Sequence, residues 1–277
     1  MGFVINNNLA ANNTYRSLNA TQSDLSKSLE KLSTGLRINR AGDDAAGLSI
    51  SEGLKSQVTG SAQAARNAQD GISVIQTAEG ALTEVHSILQ RVRDLAVQAG
   101  NDSNNADART AIKAESDALG DELTRIGDST NFNTIKLLDG SASALTFQVG
   151  AGSTAAEDQI VVDLSGADIS TLGATVKALT FDTAANALAS VGSVDTEIKS
   201  ISTERSNIGA VQNRLEHTIK SLNVAGENLQ AAQSRIADVD MAQEMVKFTK
   251  ANILSQAGTA MLAQANQSSQ GVLSLLR

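Results

Sequence analysis

The chain has 277 residues, is 41% hydrophobic but only 2% aromatic, contains no Trp, Cys or Pro, and carries a formal net charge of −8. That acidity argues against nucleic acid and against anionic membrane surfaces, both of which select basic patches. Without thiols there are no disulfides or thiolate metal sites. With so few rings to serve as buried anchors, Ala, Leu, Ile and Val must do the packing, which suits helices lying side by side.

The N-terminal "MGFVINNNLAANN" has no basic n-region and no apolar core of signal-peptide length. A chain of this kind that leaves the cell is expected to do so without an ordinary cleaved signal. No stretch approaches the ~18 consecutive apolar residues of a membrane span, so no membrane insertion is expected.

The first predicted helix carries Ala11, Tyr15, Leu18, Gln22, Leu25, Leu29, Leu32 and Leu36. Their steps alternate between four and three, a heptad seam with Gln22 its only polar member. Glycines then loosen "STGLRINRAGDDAAG", where Asp43 is the expected N-cap of the next helix and Asp44 favours its positive end. A second seam runs Gly71, Ile75, Ala78, Leu82, Val85, Leu89, Val92, Ala96, Ala99 and should stop in "GNDSNN". Gly53, Gly60, Gly71 and Gly80 fall in this long helix, where each costs about 1 kcal/mol relative to Ala. They are either tolerated imperfections or points of close backbone approach. Asp107 is the expected cap of a third helix bearing Ile112, Leu119, Leu123 and Ile126.

The period then changes. Short strands are expected at 134–138, 144–149 and 160–164, broken by Asp139–Gly140 and by "GAGSTAAED". Residues 165–190 are Ala/Ser/Thr/Gly-rich and ambiguous. A fourth helical seam follows: Ile208, Val211, Leu215, Ile219, Leu222, Gly226, Leu229, Gln233, Ile236. The last stretch, 239–277, is also helical. Its apolar set, Met245, Val246, Phe248, Ile253, Leu254, Met261, Leu262, Val272, Leu273 and Leu276, covers more than one face. A helix apolar over much of its surface needs several neighbours. The first helix supplies one, so the remainder points either to a loose intramolecular coiled coil or to self-assembly. The fold class is therefore mainly α, a long coiled-coil and helical bundle built from both ends of the chain, with a small β-hairpin region in the middle.

Candidate chemistry is thin. His86 and His217 stand in no metal-ligand spacing. "GAG" at 150–152 lacks the setting of a dinucleotide site, and "DVD" at 238–240 lacks the Gly and Glu of a calcium loop. No nucleophile turn accompanies a Ser/His/Asp order. No enzyme, cofactor or metal site is expected.

"LSTGLRINRAGDDAAGLSI" (32–50), "ARNAQDGISVIQTAEGAL" (65–82), "QRVRDLAVQAGN" (90–101), "TNFNTIKLL" (130–138), "QSRIADVDMAQEMVKFTKANILSQAGTAMLAQANQ" (233–267) and "VLSLLR" (272–277) together resemble bacterial flagellin over roughly 1–164 and 195–277. The resemblance implies an inner coiled-coil polymerisation domain from 1–44 with 238–277. It implies an outer helical bundle over 45–237, with a β-hairpin at about 134–164. Flagellin termini are disordered in the free subunit and fold on polymerisation, so greasy chain ends would be covered by neighbouring copies. The expected self-assembly residues are Leu18, Leu25, Leu29, Leu32, Leu254, Met261, Leu262, Val272, Leu273 and Leu276. The expected role is a structural subunit that polymerises into the extracellular flagellar filament for motility. The implied partners are further copies of itself, the export apparatus and a chaperone, and hook-associated and cap proteins. A host Toll-like receptor is a conditional addition, through Gln90, Arg91, Leu95 and Glu115.

Two departures stand out. Only about 30 residues (165–195) occupy the place of the large outer domains many flagellins carry, which implies a thin, smooth filament. Ser268–Ser269 stand where many members have a proline. The alternatives are a hook–filament junction protein with flagellin-like ends, a flagellin-like protease and a soluble coiled-coil binding module. The protease would need a metal motif that 165–195, with no histidine, does not supply.

Overall fold

The computed structural model describes residues 8–141 and 144–275, with side chains up to residue 268. Among these the elements run α1 (Leu9–Thr34), α2 (Ala45–Ala99), α3 (Ala106–Ser129), β1 (Asn131–Phe132), β2 (Ile135–Lys136), β3 (Ala144–Gln148), α4 (Ala155–Asp158), β4 (Gln159–Asp163), α5 (Ile169–Lys177), α6 (Ala184–Ala237) and α7 (Met241–Leu275). The class is mainly α, as the periodicity predicts. The chain divides into two compact units, 57–227 and 1–56 with 228–277.

In the first unit, all nine residues of the predicted α2 seam are buried, from Gly71 to Ala99. The heptad spacing puts them on one stripe, and the stripe faces a core that also takes Ile112 and Leu123 of α3 and Ile208 and Leu215 of α6. Helix α3 starts one step earlier than its predicted cap. Asn105, not Asp107, accepts from the Ala108 amide at 2.8 Å, and Asp107 sits in the first turn, where its charge opposes the helix dipole favourably.

The β-region is two antiparallel pairs rather than a single hairpin. β1 pairs with β2 through the Asn133–Thr134 turn, where both residues have positive φ. β3 pairs with β4 from Ala144↔Asp163 to Gln148↔Gln159. Alternation along β4 turns Ile160 and Val162 into the core.

The stretch the sequence leaves ambiguous is ordered. Asp168 caps α5 by accepting from the Ser170 amide at 3.0 Å, and Ile169, Leu172 and Val176 bury against the core beside Leu179 and Phe181. Its small residues serve close packing: a Cβ on Gly173 would stand 2.7 Å from the Gly120 carbonyl of α3. The four α2 glycines split. Gly60 and Gly71 face Ala151 and the Phe147 ring at 2.7 and 3.2 Å from an added Cβ, whereas Gly53 and Gly80 have nothing within 4 Å.

One carboxylate in this unit works against the fold. Glu204 on α6 is buried beside the turn after β4, and its nearest donor, the Asn207 amide, is 3.5 Å away. Burial pushes its pKa up, the Asn207 hydrogen bond opposes that, and the nearby Asp163 charge adds to the rise. A carboxyl raised in the folded state costs stability as pH climbs from its unfolded value, about 4.3, through its folded one. Glu204→Gln is therefore expected to raise the urea midpoint at pH 7 and to leave it unchanged near pH 4.

Candidate self-assembly face

The second unit brings the two chain ends together. Asn8 caps α1 by accepting from the Ala11 amide at 3.0 Å. Gly35 ends the helix at φ 74°, its amide bonding Lys31 O at 2.9 Å. The exit of α1 then pairs with the entry of α7: Arg37 N donates to Ala237 O at 2.7 Å and Val239 N to Gly35 O at 3.0 Å. Asp240 caps α7 through the Ala242 and Gln243 amides, at 3.0 and 3.1 Å. Asp44, rather than the expected Asp43, caps α2 through the Gly47 amide at 2.8 Å. Asp43 instead accepts from the Asn39 and Arg40 amides, which hold its carboxyl below the usual range and pin the loop.

From that junction α1 and α7 run antiparallel. Ser28 Oγ donates to Glu244 Oε1 at 2.6 Å, Ser255 Oγ to Gln22 Oε1 at 3.3 Å, and Asn8 Nδ2 to Ala265 O at 2.9 Å. The seam is not the one predicted. It keeps Ala11, Leu18, Leu25 and Leu32, but the alternate positions are Thr14, Thr21 and Ser28, not Tyr15, Gln22 and Leu29. On α7 the matching heptad is Glu244, Phe248, Ala251, Ser255, Gly258, Leu262 and Ala265. Small residues at these positions let the helices approach: a Cβ on Gly258 would meet Leu18 Cδ1 at 3.2 Å. The larger side chains are displaced to the flanks, and Tyr15 and Leu29 are 55% and 56% exposed.

Glu244 is the buried carboxylate of this seam. Burial pushes its pKa up, but the Ser28 hydroxyl, Lys247 at 3.1 Å and the Lys31 charge prevail and hold it below the usual range. Its ionised form is thus stabilised by folding, and the contribution is lost as pH falls through its folded pKa.

The predicted assembly residues therefore divide. Leu18, Leu25, Leu32 and Leu262 line the intramolecular seam, partly covered. Leu29, Leu254 and Met261 are exposed, along with Met241, Met245, Val246 (68%) and Ile253 (62%) of α7. The side chains of Val272, Leu273 and Leu276 lie outside the described residues. Apolar residues thus run all round α7, while the stripe that meets α1 is mostly small or polar, broken by Phe248 and Leu262. Met241, 48% exposed, keeps the heptad register of the α7 seam three residues before Glu244.

The four residues tied to receptor contact lie in the first unit. Gln90 is exposed, Arg91 pairs with Glu115 at 2.6 Å, and Leu95 is 1% exposed within the core. Leu95 thus serves packing first.

The family model for the bacterial flagellin N-terminal helical region matches residues 5–143, and that for the C-terminal helical region matches 191–276. The flagellin of Halalkalibacterium halodurans is 53% identical over 99% of this chain and 100% of that one. The chain belongs to the bacterial flagellin family. The flagellin of Bacillus subtilis is 50% identical over 99% of each chain. The solved Bacillus cereus flagellin is 34% identical over 57% of this chain and 88% of that one, with a TM-score of 0.49. As a flagellin the protein is a subunit of the flagellar filament, and full-length identity to flagellins disfavours the hook–filament junction alternative. Flagellins are structural proteins, which agrees with a site that offers apolar surface rather than chemistry. No helix among the described residues is long and apolar enough to cross a membrane.

Proposed function

We propose that this flagellin polymerises by burying the outward faces of α1 and α7 against the same helices of neighbouring copies. In this reading, 1–44 with 238–277 is the inner polymerisation domain and 45–237 the outer bundle. The carrying observation is the distribution on α7: five of its seven seam positions are small or polar, with only Phe248 and Leu262 large and apolar, while Met245, Val246, Ile253, Leu254 and Met261 face outward. A surface helix normally does the opposite. Exposed apolar patches of this kind mark interaction sites, and a repeated head-to-tail contact that never closes yields a filament. Leu29 and Tyr15 extend the same surface on α1. Val272, Leu273 and Leu276 are proposed to continue it. We propose further that the filament is extracellular and that, besides its own copies, the chain meets an export apparatus and chaperone, hook-associated and cap proteins.

Purified subunits added to short filament fragments test it. Elongation that continues until the subunits are exhausted, seen by electron microscopy, is the expected result. A single terminal layer and then arrest would contradict it and favour a junction protein.

A further inference from the structure

We propose that Met241, Met245 and Met261 form an oxidation-sensitive control on assembly: their sulfoxides stop a free subunit from joining a filament, and incorporation shields them. The proposal rests on the reading that the outward face of α7 is buried between copies.

The distribution of soft side chains carries it. The chain has four methionines, no Cys, no Trp and one Tyr. Three of the four methionines lie on one helix, the fourth being Met1, outside the described residues. All three are open to solvent, at 48%, 49% and 63%. Methionine ordinarily fills core gaps, yet no described methionine of this protein lies in the core. Met245 and Met261 follow and precede the seam residues Glu244 and Leu262 by one position, so helical geometry puts them on opposite flanks of the seam. A two-electron oxidant in the medium therefore finds every described thioether of the subunit exposed on this one helix.

The thioether sulfur attacks one oxygen of hydrogen peroxide, the O–O bond breaks, and the sulfur gives up two electrons and keeps that oxygen as the sulfoxide. The other oxygen leaves as hydroxide, which takes the proton from the sulfur-bound oxygen and becomes water. The product is a polar, chiral group with a strong acceptor. On the free subunit water solvates it at no cost to the core. In an interface shaped by Val246, Ile253 and Leu254 it needs a donor. The Thr249 hydroxyl, one turn from Met245, is already committed to the Met245 carbonyl at 2.8 Å. Lys250 lines the same patch, but its ammonium can answer the acceptor only at the cost of its own desolvation, so the sulfoxide opposes association either way.

The test uses peroxide-treated subunits, with sulfoxides located by peptide mass mapping, added to untreated filament fragments. Treated wild-type subunits are expected to elongate the fragments at least about tenfold more slowly, with an unchanged circular dichroism spectrum. Treatment with methionine sulfoxide reductases A and B should restore growth. The M241L/M245L/M261L variant should be indifferent to peroxide. In intact filaments the same methionines should oxidise more slowly than in free subunits. Normal growth of fully sulfoxidised wild-type subunits would overturn the proposal, as would equal inhibition of the leucine variant or no rescue by the reductases. Should the leucine variant itself assemble poorly, the reductase rescue still decides. Failure of untreated wild-type subunits to add to the fragments would instead sink the assembly reading beneath it.

Discussion

Ile253→Asp is expected to abolish seeded elongation while leaving the isolated subunit as stable as the wild type. Ile253 is 62% exposed and lies away from the α1 seam, so the substitution removes no described intramolecular packing. Exposed substitutions of this kind usually change stability by within about 0.5 kcal/mol. In the filament the same position is proposed to be covered. Losing the burial of an isoleucine forfeits about 1.5–3 kcal/mol, and a carboxylate placed among apolar groups without a partner adds a desolvation penalty. A combined loss of about 4 kcal/mol would raise the concentration needed for growth on the order of a thousandfold. Sedimentation of seeded mixtures measures the first half of the expectation and urea unfolding the second. Leu25→Asp supplies the contrast, because Leu25 lies in the α1–α7 seam: it should weaken the subunit as well as the filament. Normal growth of the Ile253→Asp subunit would remove the support for burial of this face.

How much of this was legible in the sequence depends on what each helix packs against. The α2 seam was readable to the residue because it faces a single core of its own chain, where apolar means inward. Gly71 to Ala99 therefore match position for position. On α1 the same reasoning chose Tyr15, Gln22 and Leu29, one residue away from Thr14, Thr21 and Ser28. Pattern alone gives the widest apolar set to the intramolecular partner, whereas here the leucines of the seam alternate with Thr14, Thr21 and Ser28, and Tyr15 and Leu29 remain outside. A helix destined for several neighbours carries several overlapping heptads, and its sequence does not rank them. The buried Glu244 was invisible for a related reason: a charged residue in a seam is read as solvated until its Ser28 and Lys247 partners are known. Helix α5 was missed because its nine residues, with Thr, Gly and Ser among them, carry too few turns for periodicity to emerge. Asp168 before Ile169 was the available signal, a capping residue ahead of an apolar position. The helix caps went astray by one or two residues, Asp43 for Asp44 and Asp107 for Asn105, since neighbouring Asp and Asn side chains compete on equal terms until backbone geometry selects one.

Leu89→Ala separates the fold from the assembly in the opposite direction. Leu89 is fully buried on α2, midway along a seam flanked by Val85 and Val92, and no exposed surface depends on it. Truncating it removes the transfer free energy of three carbons and leaves a cavity that rigid helices close only in part, a loss of about 2–5 kcal/mol. The urea midpoint of the 57–227 unit should fall accordingly with an unchanged m-value, because the surface exposed on unfolding is nearly the same. At temperatures where the variant stays folded, its outward α7 face is intact, so seeded growth should proceed at close to the wild-type rate. Gln90→Ala, one residue along and facing solvent, should shift the midpoint little. If Leu89→Ala instead blocked growth while barely moving the midpoint, the core of this unit would itself have to rearrange during assembly. The division between a self-sufficient bundle and an unfinished pair of terminal helices would then be wrong.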